Sequence, residues 1–190
     1  MRKAFKDAVI LRPSIVFGPE DGFFNRFAAM ARLSPALPLI GGGETRFQPV
    51  YVTDVADAVA AVLARPEARG QTYELGGPRV YSFKQLMQLM LKTIGRRRLL
   101  LPLPFPIARF QAGILELVSL LPLPVAPPLT RDQVTLLESD NVVGKKALTR
   151  ADLGIEPHSV EVIIPAYLDR YRPGGRFSAP PLGGPNGSKA

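Results

Sequence analysis

Apolar residues in the first hundred positions fall into short blocks separated by glycine and proline, and the spacing within the blocks changes. Residues 8–17 carry Val9, Ile10, Leu11, Ile15, Val16 and Phe17 in a nearly continuous run, the pattern of a strand covered on both faces. Gly18-Pro19 ends it. Phe24–Leu33 reads as a short helix stopped by Pro35 and Pro38, and the three glycines at 41–43 read as a loop. Residues 50–52 form a second short strand. Thr53-Asp54 then offers a cap for a helix reaching Leu63, with Val55, Val59 and Val62 on one face and Asp57 and Ala61 away from it. Thr72–Leu75 is a third strand, ended by Gly76-Gly77-Pro78. Ser82 with Gln85 three residues on makes a capping box, and Phe83, Leu86, Met87, Met90 and Ile94 make the buried stripe of the helix it opens.

The pattern changes after Gly95. Residues 99–129 are rich in leucine and proline and nearly uncharged. Residues 105–121 suit a helix with Ile107, Phe110, Ile114, Leu117 and Leu121 as its stripe, and the prolines at 122, 124, 127 and 128 forbid regular structure beyond it. Thr130 with Gln133 predicts a capping box for a helix to Leu137, and residues 145–153 and 159–171 predict two more, the last interrupted by Pro165. From Arg172 onward little can be buried, which predicts a disordered tail over 172–190. Strands alternating with helices, followed by helices alone, predict an α/β fold: the last strands of a parallel sheet and a small, mostly helical C-terminal subdomain. Three short strands alone would leave apolar faces and an open edge uncovered, so further strands are expected.

Composition narrows the chemistry. The 190 residues contain no cysteine, which excludes disulfides and thiolate sites, and a single histidine, His158, which excludes a multi-histidine metal site. His158 follows Pro157 ahead of a helix start and reads as an exposed loop residue. The formal charge of +8 favours acidic partners. The dense spot is Arg96, Arg97 and Arg98, and no basic run is interleaved with aromatics, so a nucleic-acid partner is not expected. The apolar run near the N-terminus is cut by Arg12, too early for a signal peptide, and no stretch reaches the ~18 apolar residues of a membrane span.

The run Ile10-Leu11-Arg12-Pro13-Ser14-Ile15-Val16-Phe17-Gly18-Pro19 resembles the strand after the catalytic helix of extended short-chain dehydrogenases and NAD-dependent epimerases. Gln48-Pro49-Val50-Tyr51-Val52-Thr53-Asp54-Val55-Ala56 is similar to that family's second C-terminal signature, and Gly76-Gly77 ahead of the Ser82 helix fits its order. The stretch from Pro122 to Pro128 leading into Thr130-Arg131-Asp132-Gln133-Val134 and Asp140-Asn141 resembles the subfamily of the NAD(P)H-binding accessory subunit of respiratory complex I and its bacterial relatives.

The resemblance implies a division into residues 1–95, the C-terminal part of an NAD(P)-binding Rossmann-like domain, and residues 96–171, a helical substrate or partner subdomain. It also implies that NADP or NAD binds the complete protein, with the backbone of Pro13, Ser14 and Ile15 under the nicotinamide. Pro13 is expected to break the ladder there and leave backbone groups free. Gln48 and Tyr51 are candidates for the substrate pocket.

Three departures matter. The Gly-rich dinucleotide turn and the Tyr-x-x-x-Lys acid/base pair of the family are not in this sequence, so no catalytic residue is assigned and little or no cofactor binding is expected of this chain alone. Ile15 stands where sugar-nucleotide members tend to carry Asn. Phe47 stands where they tend to carry Arg, with Arg46 one residue off and so on the opposite face of a strand. Asp54 reads as a carboxylate on a helix dipole.

The function implied is therefore a structural relative of the complex I (NADH:ubiquinone oxidoreductase) accessory subunit. The alternative is an NAD(P)-dependent oxidoreductase or epimerase/dehydratase whose catalytic half lies outside this chain. The expected partners are the N-terminal Rossmann half or a partner subunit, and a respiratory membrane complex or membrane surface. The expected location is cytoplasmic, with a peripheral place on the inner membrane.

Overall fold

The computed structural model describes residues 5–119 and 131–175. In chain order the elements are β1 (Ile10–Pro13), β2 (Val16–Phe17), α1 (Phe24–Leu33), β3 (Ala36–Ile40), β4 (Arg46–Phe47), β5 (Val50–Tyr51), α2 (Val52–Ala64), β6 (Thr72–Leu75), β7 (Tyr81–Ser82), α3 (Phe83–Thr93), β8 (Leu99–Leu103), α4 (Phe105–Ser119), α5 (Arg131–Leu136), β9 (Leu148–Thr149) and α6 (Val160–Leu168). The fold is α/β and Rossmann-like. Its longest sheet is parallel, in the order β1-β6-β9. β2 pairs with β5 and β3 with β8, both parallel, while β4 and β7 run antiparallel.

The run expected as one strand over 8–17 is two. The missing N–H of Pro13 falls on the edge of β1 away from β6 and costs no ladder bond. Ser14 N–H makes the last bond to β6, to Leu75 O, and the chain steps off β6 after it. Its next residues pair with β5 instead, Val16 opposite Val50.

β3 and β8 were not foreseen, because Pro38 and Pro102 argue against strands. In a two-stranded parallel sheet each strand has an outer edge whose N–H groups bond nothing, so a proline there costs no ladder bond. The pairing has Pro38 opposite Leu101 and Leu39 opposite Pro102. The turn after β3 needs its glycines: Gly41, Gly42 and Gly43 all have positive φ, and a Cβ on Gly41 would stand within 2.2 Å of the Phe105 ring.

α3 follows its sequence pattern closely. Ser82 Oγ accepts from Gln85 N at 3.2 Å while Gln85 Oε1 accepts from Ser82 N at 2.7 Å. All five stripe residues are buried. They meet Phe17, Phe24 and Phe27 from β2 and α1, and Ile164 and Leu168 from α6, in the main core. Each such side chain contributes ~1.5–3 kcal/mol relative to exposure. A smaller cluster of Val50, Ala58, Tyr73, Leu75 and Leu153 lies under α2.

Three helix expectations need correction. On α2, Val55 and Val62 pack on the smaller cluster as expected, but Ala61 joins them and Val59 is exposed. A helix in which alanines alternate with valines has no sharp apolar stripe to read. On α4, Ala108 is buried while Ile107 and Phe110, both expected in the stripe, are exposed.

Residues 145–153 do not form a helix. β9 adds to the edge of β6, and Asp152 Oδ2 accepts from the N–H and hydroxyl of Thr149 at 2.7 and 3.1 Å, a local turn that competes with helix. Gly154 in the left-handed region closes it. The tail expected over 172–190 is ordered at its start, where Arg172 Nε donates to Thr93 O at 3.2 Å and Gly175 N–H to Arg172 O at 3.0 Å. Its remainder from 176, the cap at Thr130 and the side chains of 112, 114–119 and 131–133 lie outside the described residues.

Candidate functional site

The step from β1 to β2 is the feature around which the site is built. Ser14 N–H donates to Leu75 O at 2.9 Å and Val50 N–H donates to Ile15 O at 2.9 Å. The expectation that Pro13 frees backbone groups is thus corrected for these two, which the neighbouring strands take up. The Ser14 hydroxyl is buried and bonded internally: it donates to Asn141 O at 2.7 Å and accepts from Gln48 N at 3.1 Å. A shallow polar cleft runs along one side of the turn, lined by Arg12, Pro13, Ser14, Glu74 and Asp140.

Gln48 is a bolt. Its Nε2 donates to Gly77 O at 2.8 Å, and its Oε1 accepts from Val143 N at 3.1 Å. The main chain of Gly77 returns a bond to Gln48 O at 3.1 Å. One side chain thereby ties together the segments at 48, 77 and 143. Tyr51 packs its ring between Phe17 and His158, at centroid distances of 5.6 and 5.4 Å. Gln48 and Tyr51, both expected near a substrate, are placed on backbone and ring partners.

Arg46 and Phe47 behave as strand alternation requires. Arg46 points outward and grips Asp140 through its backbone N–H and guanidinium, at 2.7–2.8 Å. That contact holds the Asp140 carboxyl below its usual range. Phe47 turns inward and is buried.

The partner of Asp54 comes from far along the chain. This carboxylate is 2% exposed and sits in the first turn of α2, as expected. It also accepts from the His158 backbone N–H at 2.9 Å, and its Oδ1 lies 2.6 Å from His158 Nδ1. His158 is half exposed and lies in the loop before α6, as expected, but its amide and ring are both held by Asp54. The two are 104 positions apart, so no local signal could have paired them. The contact pins the loop before α6 onto α2.

Tyr81, on β7, donates to Glu161 Oε1 of α6 at 2.8 Å, with Arg79 3.3 Å from the same oxygen. Burial first, then the Glu161 bond and charge, push the Tyr81 phenol up from about 10 to about 12. A raised folded-state pKa means the stabilisation is complete below pH ~10 and is lost as pH climbs towards ~12. Tyr81→Phe should therefore lose less stability than the native chain between those two pH values, as read from urea midpoints.

These features have the order and geometry of one family. Residues 1–76 match the sequence model of the NAD dependent epimerase/dehydratase family. Over nearly its whole length the chain is similar to NADH dehydrogenase (ubiquinone) 1 alpha subcomplex subunit 9, mitochondrial. It is 39% identical to the Arabidopsis thaliana protein over 176 residues, 90% of this chain and 44% of that one. It is 34% identical to the Rattus norvegicus protein, again over 90% of this chain and 44% of that one. The chain thus spans somewhat under half the length of these relatives.

Among solved structures, a dTDP-glucose 4,6-dehydratase double mutant from Streptomyces venezuelae with NAD and DAU bound aligns at a TM-score of 0.59 and 19% identity, covering 90% of this chain and 45% of that one. A human epimerase family protein with NADPH aligns at 0.57 and 19% identity, covering 84% and 46%. At these identities the likeness is one of fold.

Proposed function

We propose that this chain is part of an NAD(P)-binding, short-chain-dehydrogenase-like accessory subunit of a respiratory NADH:ubiquinone oxidoreductase, and that its role there is structural. The observation that carries this reading is the extent of the similarity. The family match ends at residue 76, whereas likeness to the subunit 9 proteins covers 90% of the chain and so includes the leucine- and proline-rich segment. A general epimerase relationship would not require that segment to match.

The polar groups of the Ser14 turn support the same reading, since they are spent on holding strands together. In the complete protein, the backbone of Pro13, Ser14 and Ile15 lies under the nicotinamide of NADP or NAD. The pyrophosphate is held by the Gly-rich turn of the N-terminal half, and this chain alone binds the cofactor weakly or not at all.

The partner surface is the outer face of β8 and its surroundings. Arg32 and Arg98 crowd Arg96, whose pKa is lowered by burial and by these two like charges. Leu33, Leu99 and Leu101 stand exposed in the neighbouring sequence. Basic groups beside exposed leucines suit a peripheral position against an anionic membrane surface next to the complex. No helix among the described residues is long and apolar enough to cross a membrane.

Deleting the gene in its source organism tests the role. The amount of assembled NADH:ubiquinone oxidoreductase should fall severalfold, and a copy carrying the family's cofactor turn should restore it. Unchanged enzyme together with a new block in a sugar-nucleotide conversion would favour a catalytic epimerase or dehydratase instead.

A further inference from the structure

A cavity of about 370 Å³ lies against the β1–β2 step on the Ile15 side. Its size is at the lower end of the ~300–1,000 Å³ of small-molecule sites. The walls are apolar: Ile15, Phe23, Phe27, Phe47, Leu136 and Leu137. Phe23 and Phe27 stand edge-on to each other and to Phe83, and Phe47 packs tilted against Phe23. Phe23 lies 5.4 Å from Phe27, 6.5 Å from Phe47 and 6.0 Å from Phe83. The cage is therefore preformed by the core and needs no ligand to order it.

One cation faces this apolar cage. Arg26, on α1, lines the cavity. Its Nη1 is shut off from solvent with no hydrogen-bond partner, and no ion pair to Arg26 is found among the described residues. A buried donor left unpaired costs more than an average hydrogen bond gains, and the cost is larger for a charged group. Arg26 is only partly buried, so a shift of its side chain can turn the guanidinium to an acceptor in the cavity, and the natural acceptor is a carboxylate. The neighbouring Ser14 hydroxyl has no donor left for a carboxylate, because its one proton goes to Asn141 O. A single cation in an aromatic cage does not match a diphosphate, which spreads more negative charge than one guanidinium can meet.

We infer that this cavity binds a small amphiphilic carboxylate, with its apolar body among Phe23, Phe27 and Phe47 and its one charge on Arg26. This does not rest on membership of a respiratory complex. A chain that fails to assemble with one could still bind the ligand, and an assembled subunit could fail to.

Titration of the full 190-residue chain with decanoate tests it, with decanol and butanoate as comparisons. Saturable one-to-one binding of decanoate is expected, stronger than that of either comparison. Arg26→Gln should weaken decanoate about ten- to hundredfold and leave decanol unchanged. Leu136→Glu alters an exposed residue at the cavity, so the fold tolerates it, and the added like charge should weaken decanoate as well. Absence of saturable decanoate binding to the native chain overturns the inference. Undiminished binding in both variants also overturns it, since the ligand would then sit elsewhere.

Discussion

Gly77→Ala should destabilise the protein by about 3 kcal/mol or more. A Cβ at this position would stand 2.0 Å from the carbonyl oxygen of Pro49. The obstacle is main chain, not the end of a flexible side chain, so it cannot swing away. Moving it would break the Gly77 N–H bond to Gln48 O and strain the Gln48 bolt, which holds Gly77 O and Val143 N. Gly22→Ala is the control: nothing lies within 4 Å of its would-be Cβ, and a change within ~0.5 kcal/mol is expected. Urea midpoints at unchanged slope measure both. Equal stability of the two variants would mean that the segments at 48 and 77 do not approach as described.

Asp54→Ala should cost a similar amount, about 3 kcal/mol. The carboxylate accepts two bonds from His158, one from the main chain and one from the ring. Removing it leaves both donors without their acceptor and opens a void under the first turn of α2. Asp54→Asn keeps the shape and one acceptor oxygen and should recover about half of the loss. The His158 amide should exchange with solvent much faster in the alanine variant, while amides of α3 speed up only as far as the fall in global stability requires. A variant as stable as the native chain would reduce Asp54 to a dipole partner of α2.

What could be read beforehand follows from how local the chemistry is. The Ser82–Gln85 box and the α3 stripe lie within a dozen residues, and each choice of residue agrees with its neighbours; β6 is bounded on both sides by glycine. The outward Arg46 and inward Phe47 follow from strand alternation alone. The parallel pairing of β3 with β8 could not be read, since proline is a negative signal whose cost vanishes on a two-stranded sheet. The faces of α2 and α4 were misjudged where alanine and larger apolar residues compete for the same surface. At the site, the Ser14 turn was legible from Pro13. The roles of Gln48 and Asp54 were not, because their partners come from Val143 and His158, far away in sequence. Arg26 carried no sequence signal: an arginine on a short helix reads as surface, and only the absence of a partner for its buried Nη1 marks it.

Membership of the respiratory complex is tested most directly by tagging the chain at its chromosomal locus and separating mild-detergent membrane extracts on a native gradient. The chain should migrate with NADH:ubiquinone oxidoreductase at constant ratio through its peak, and NADPH should be recovered from the same fractions. Migration as a free species, with the oxidoreductase peak unaltered and complete without it, would mean that the chain is no subunit of that complex.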